Sequence, residues 1–343
     1  MIKEEIASMN RRTILLGLGL LAVGLVLAAC AGQPGPAGPA GPAGPAGPAG
    51  PPGQPPAAAD LSCAECHNDT TLISGHDATW ASSKHGNGTT TAYAGARPGC
   101  NGCHSGGGFS DRIATGTKTA DIKAADPNPS RIDCRACHQI HMTYTNADFA
   151  LRTTDPVKLE ALDATFDGGM GNLCANCHQQ RVPFPAAEGG KVKVTSTHWG
   201  GHHGPEAALL LGVGGAGVEG KPSPHYQTVK DTCVTCHLGG AGPNASHTFV
   251  PVVGTCVTCH ADATSLDVDG KQTEIKDKLA KVEAALKAKG LVDKDGVVVV
   301  GEYPEAQAAA LWNYLFVLED KSDGVHNVDF ANALLDSALA GLK

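Results

Sequence analysis

Residues 233–260 read CVTCHLGGAGPNASHTFVPVVGTCVTCH, with the pentapeptide CVTCH at both ends. The pattern Cys-x-x-Cys-His recurs four more times, as CAECH (63–67), CNGCH (100–104), CRACH (134–138) and CANCH (174–178). The six copies use twelve of the 13 cysteines and leave only Cys30 outside the pattern. Zinc pairs and short disulfides also use Cys-x-x-Cys. Neither requires a histidine directly after every second cysteine. The full pattern is the attachment signature of c-type haem. Two cysteines three apart can each add across one vinyl group, and the next residue supplies an axial nitrogen to the iron. Six copies predict six haem c groups. The covalent attachments fall on Cys63, Cys66, Cys100, Cys103, Cys134, Cys137, Cys174, Cys177, Cys233, Cys236, Cys256 and Cys259. The proximal iron ligands fall on His67, His104, His138, His178, His237 and His260.

The composition agrees. Aromatic residues are only 4% of 343, while glycine numbers 44. Packed porphyrins supply the apolar bulk that aromatic side chains would otherwise give. There are about 34 residues for each motif between 60 and 262. Glycine-rich loops permit the close approach this needs. The expected fold class is mainly α with extensive loop and little or no β, wrapped around closely packed haems.

Each iron has a sixth position. Once residues 1–29 are removed, only Met142 and Met170 remain as methionines, whereas nine histidines lie outside the motifs. The cluster STHWGGHHG (196–204) holds three of these, with no cysteine beside them. It is expected to deliver a distal ligand to a haem bound elsewhere in the chain, rather than to hold zinc.

Around that framework lie three other regions. Arg11 and Arg12 precede an apolar run from Ile14 to Ala29, and Leu27-Ala28-Ala29-Cys30 resembles a bacterial lipobox. The run is shorter than the roughly 20 residues of a membrane span. Residues 1–29 therefore read as a lipoprotein signal for the general secretory route, and Cys30 as the lipidated residue. Removing residues 1–29 takes three basic and two acidic residues and shifts the net charge from −8 to −9. No basic patch for nucleic acid remains. Residues 30–59 hold a collagen-like Gly-Pro-Ala period, read as an extended spacer; at about 3.1 Å per residue it reaches roughly 70 Å. A trimerising triple helix is the alternative. Residues 60–262 form the hexahaem-binding domain. Residues 263–343 form a C-terminal helical segment packing on it. Ile275, Leu279, Val282 and Leu286 recur at helical spacing, with Gly290 as a stop. Further helices are expected over 304–319 and 328–341, the latter capped by Asn327.

The stretches HHGPEAALLLG, SPHYQTVKDTCVTCH, SHTFVPVVGTCVTCH and DGVHNVDFANALLDSAL resemble motifs of bacterial multihaem c-type cytochromes. GVHN followed by a helix is similar to the nitrite reductase and hydroxylamine oxidoreductase group. The resemblance implies distal ligands at His203, His225, His247 and His326. WASSKHG, with its Trp-x4-His spacing, implies His85, and CHQIH implies His141. His76, His198 and His202 stand in reserve. The implied function is electron transfer through six haems, in respiratory or extracellular electron transfer. The protein would be lipid-anchored to the membrane, on the periplasmic side or at the cell surface, and would meet redox partner proteins. Self-assembly as a dimer, trimer or filament stays open. The alternative is a reductase of a small nitrogen or sulfur compound with one five-coordinate haem. The related nitrite reductases often mark that haem with lysine in place of the motif histidine, and all six motifs here end in histidine.

Overall fold

In the computed structural model, the described residues are 67, 71–239 and 246–343. The signal segment, Cys30, the spacer and the first two motif cysteines, Cys63 and Cys66, lie outside them. Residues Pro56–Lys343 form one compact unit.

The described part of the chain opens with short helices joined by loops. These are α1 (Thr71–Ser82), α2 (Lys84–Asn87), α3 (Asn101–His104), α4 (Gly106–Thr115) and α5 (Cys134–Cys137). Two-residue strands β1 (Val157–Lys158) and β2 (Thr165–Phe166) follow, paired antiparallel with Val157 opposite Phe166. Next come α6 (Asn172–Ala175), β3 (Lys191–Val194), α7 (Glu206–Leu211), α8 (Pro224–Thr228), α9 (Cys233–His237) and α10 (Val253–Cys256). The chain ends with α11 (Lys271–Ala288), β4 (Gly301–Pro304), α12 (Glu305–Asp320) and α13 (Val328–Gly341). The fold is mainly α with extensive loop and little strand.

Among the described residues, two cores of unequal size form. The larger gathers Ile275, Leu279, Val282 and Leu286 from α11, Leu311 and Phe316 from α12, and Leu334 and Leu335 from α13. Ala207 to Leu211 of α7 pack into the same cluster. The C-terminal helices therefore share their interior with residues that precede the last two motifs. Side chains of the protein itself cover the apolar stripes of these helices: Leu311, Leu334 and Leu335 are each 0% exposed. Trp312, Phe316 and Phe330 supply aromatic bulk here. The smaller core is only Phe109, Ala136 and Leu173, bordered by Cys137 and Cys177. The shortage of aromatic core is thus confined to the part of the chain around the motifs.

Strand β4 pairs antiparallel with β3, with Lys191 opposite Pro304 and Val194 opposite Gly301. Val192 and Val194 point into the interior while Lys191 and Lys193 face outward. This alternation ties the C-terminal segment to the middle of the chain.

Candidate functional site: six facing histidine pairs

Each described motif sits on one tight helical turn. The amide N–H of His104 donates to the carbonyl of Cys100 at 3.0 Å, and His138, His178 and His260 do the same to Cys134, Cys174 and Cys256 at 2.8 to 2.9 Å. His237 closes the helix α9 that begins at Cys233. Residues three and four apart share a helix face. The turn therefore carries both sulfurs and the imidazole on one side, as a bound tetrapyrrole requires.

The motifs, numbered as sites 1 to 6 in chain order, each present their histidine to a second histidine. His67 faces His141 with ring centroids 6.1 Å apart, and His104 faces His202 at 6.1 Å. His138 faces His247, and His178 faces His85, both at 6.2 Å. His237 faces His326, and His260 faces His225, again at 6.2 Å. Six pairs agree to 0.1 Å although their interplanar angles run from 31° to 81°. Direct ring packing would give one preferred angle rather than one distance. Metal–imidazole bonds of about 2.0–2.1 Å on opposite sides of one ion leave ring centroids about 6 Å apart. Among the described residues, histidine, cysteine and carboxylate side chains do not gather in the groups of three or more that a protein-only metal site needs. A haem supplies the other four nitrogens, so two imidazoles suffice. The residues fit the group.

Neighbouring atoms fix which ring nitrogen is free. Nδ1 of His138 donates to the Phe149 carbonyl at 2.7 Å, that of His237 to the Phe249 carbonyl at 2.9 Å, and that of His225 to the Val325 carbonyl at 2.8 Å. A carbonyl only accepts, so these rings carry their proton on Nδ1 and leave Nε2 with its lone pair. Carboxylates stand at Nδ1 of two further rings, one at site 4 and one at site 5. Glu206 lies 3.2 Å from Nδ1 of His178, and Asp320 lies 2.7 Å from Nδ1 of His326. The Glu206 charge raises His178 to about 9 against the opposing effect of burial. At His326 burial alone would lower the pKa, but the Asp320 carboxylate overrides it and the group rises to about 9. Burial, helped by the charge on His178, pushes His85 down to about 4.

The histidine cluster divides differently from the sequence expectation. The ring facing His104 belongs to His202, not to His203. His202 adopts φ 74°, between the left-handed Gly200 and Gly204, which turns it inward. His203 points away, with Nδ1 2.5 Å from Glu319 and its side chain 63% exposed. His198 is exposed, with Nδ1 at 3.3 Å from the Thr197 hydroxyl. His76 stands 4.5 Å from His247 rather than opposite a motif histidine. His85, His141, His225, His247 and His326 each face a motif ring.

Sulfurs of different motifs also meet. Cys103 lies beside Cys177, and Cys174 beside Cys233. Cys137 borders the same small core as Cys177, and Cys236 lies near Cys256 and Cys259. Buried Arg112 sits against one of these contacts. It bonds Glu160 at 2.9 Å, the Asn176 carbonyl at 2.8 Å and the Cys177 sulfur at 4.0 Å. No motif announces Arg112, Glu206 or Asp320, because their roles arise from residues distant in sequence.

Comparison with known proteins places these features. The cytochrome c3 family matches residues 56–149, which contain the first three motifs. The crystal structure of the outer cell wall cytochrome OcwA is 28% identical, with a TM-score of 0.50 over 77% of this chain and 50% of that one. The chain thus spans half the length of OcwA. An undecahaem cytochrome from the S-layer of Carboxydothermus ferrireducens is 20% identical, with a TM-score of 0.43 over 71% of this chain and 37% of that one. No curated protein matches. The cytochrome c3 match and the likeness to OcwA support a multihaem c-type cytochrome. They do not support a specific relation to the nitrite reductase and hydroxylamine oxidoreductase group that the sequence resembles.

Proposed function

We propose that the chain is a hexahaem electron conduit on the cell envelope, with every iron held between two histidines. The constant 6.1–6.2 Å spacing of six facing pairs carries this reading. The haem supplies one-electron redox chemistry at each site. The protein supplies two thioether sulfurs, two oriented imidazoles and an apolar surround, and two neutral nitrogen ligands without methionine favour low potentials. Every motif histidine faces a second ring, which leaves a reductase reading without an open iron position.

The sulfur contacts suggest an order. A thioether sulfur marks a vinyl-bearing edge, so touching sulfurs bring two edges together. The Cys174–Cys233 and Cys103–Cys177 contacts put sites 5 and 2 beside site 4. Cys137 adds site 3 to the same neighbours, and Cys236 joins site 5 to site 6. His138 and His141, three residues apart, link site 3 to site 1. The proposed order is 1–3–4–5–6, with site 2 branching from site 4. The lipid on Cys30 and the extended spacer would hold this array near a membrane surface, within reach of redox partner proteins. OcwA, an outer cell wall cytochrome, is in keeping with an exported location.

The test is the intact mass of the mature protein with an EPR spectrum of its oxidised form. Six haem masses above the polypeptide and lipid, with only low-spin iron, are expected. Three or fewer haems, or a persistent high-spin iron, overturns the conduit.

A further inference from the structure

Phe249 lies where three of the sites meet. Its carbonyl accepts the Nδ1 proton of His237 at 2.9 Å. Its ring stands edge-on to His85, with centroids 4.6 Å apart and 71° between planes. The same ring lies 5.9 Å from His247 at 75°. His85 faces His178 of site 4, His247 faces His138 of site 3, and His237 belongs to site 5. One residue therefore touches an imidazole at each of three sites. Among the described residues, no other ring outside the histidines stands against two of them.

The backbone at this position is held in an uncommon state. Phe249 has φ 58°, in the left-handed region that a bulky side chain rarely occupies. Such a conformation persists where the surroundings over-determine it. Here it sends the carbonyl to one imidazole and the ring to two others. A glycine would hold the same turn without strain and would keep the carbonyl contact, but would offer no ring. The closeness of Cys174 to Cys233, and the small core that both Cys137 and Cys177 border, gather the same three sites independently.

We infer that Phe249 is a positioning residue shared by three irons, fixing the plane of one axial imidazole at each of sites 3, 4 and 5. This rests on the histidine pairs being iron ligands. The angle of an imidazole about its iron bond sets the splitting of the iron d orbitals, so the g values of low-spin ferric haem report it. Three adjacent haems are thereby tuned through one residue, two by its ring and one by its carbonyl, and a side-chain substitution reaches two of them without touching a ligand.

Phe249→Leu keeps the carbonyl and an apolar side chain but removes the aromatic edge. Phe249→Gly keeps the carbonyl and relieves the backbone, and Phe249→Tyr keeps the ring. The measurements are intact mass, EPR of the oxidised holoprotein and a redox titration. The leucine and glycine variants should retain six haems, with altered g values and midpoints in two of them and wild-type values in the rest. The tyrosine variant should superpose on wild type. Should leucine prevent full haem loading, the glycine variant gives the same reading. A six-haem leucine or glycine variant identical to wild type overturns the inference, and so does one in which all six haems shift together. Fewer than six haems or high-spin iron in the wild-type protein instead overturns the ligand reading, and this inference with it.

Discussion

The Asp320 carboxylate is fully buried 2.7 Å from Nδ1 of His326, whose ring faces His237. A carboxylate on that nitrogen makes the imidazole a stronger donor. A stronger donor favours ferric over ferrous iron. Asp320→Asn keeps the shape and removes the charge, so the midpoint of the site 5 haem should rise. Each tenfold loss of preference for the ferric form is worth about 59 mV. A redox titration in which one of six components moves upward is the expected outcome; an unchanged titration removes Asp320 from the site. The histidine cluster gives a second residue-scale test. His202→Ala should turn one haem high-spin, whereas His203→Ala should leave the EPR spectrum unchanged. The reverse result would move the ligand back to the position the sequence resemblance favours. These adjacent residues are the same in composition and motif context. A φ of 74° and the reach of Glu319 separate them, and neither is written in the local sequence.

At the scale of elements, Asn327 shows how a helix start and a site become one device. Its side-chain oxygen accepts from the Phe330 amide at 3.2 Å and caps α13. Its side-chain nitrogen donates to the carbonyls of Leu209 and Lys221 at 3.0 and 2.9 Å. The helix start is thereby tied to α7 and its loop, one residue after His326. Asn327→Ala should cost about 1 kcal/mol for the cap and about 1–3 kcal/mol for the carbonyl groups left unpaired. The protein should unfold at lower denaturant, and the site 5 haem should lose its low-spin signal before the others do. Six low-spin signals lost together in one unchanged transition would argue against this. The cap, the α11 stripe from Ile275 to Leu286 and the six motifs were legible because each is a local pattern. Strand β4 was not, because a four-residue GEYP becomes a strand only through a partner far earlier in the chain, with Lys191 opposite Pro304 and Val194 opposite Gly301. The protein core shared by α7, α12 and α13 was missed for the same reason.

At the scale of the molecule, the motif count and the facing rings converge on one array, while attachment to the membrane rests on the sequence of residues 1–59 alone. Cys30→Ser should free the protein from membranes, or leave its signal uncut, with its haems in place. Unchanged fractionation and processing would remove the lipid anchor. The internal order of the array makes a separate demand. If site 4 joins sites 2, 3 and 5, its loss divides the remaining haems into three groups: site 2 alone, sites 1 and 3, and sites 5 and 6. Loss of site 2 leaves one connected path. Two double variants compare these cases, Cys174→Ala with Cys177→Ala and Cys100→Ala with Cys103→Ala. Each should carry five haems by intact mass. With a protein-sized reductant that docks at one place, the site 2 variant should reduce in a single phase over all five haems. The site 4 variant should show a fast phase for the group that meets the reductant and a much slower one for the others. Contacts between sulfurs, not the spacing of motifs along the chain, set that expectation, since a linear order in sequence would make sites 2 and 4 equally interior. Equal single-phase reduction of both variants would mean that electrons bypass site 4, and the branched order would fall.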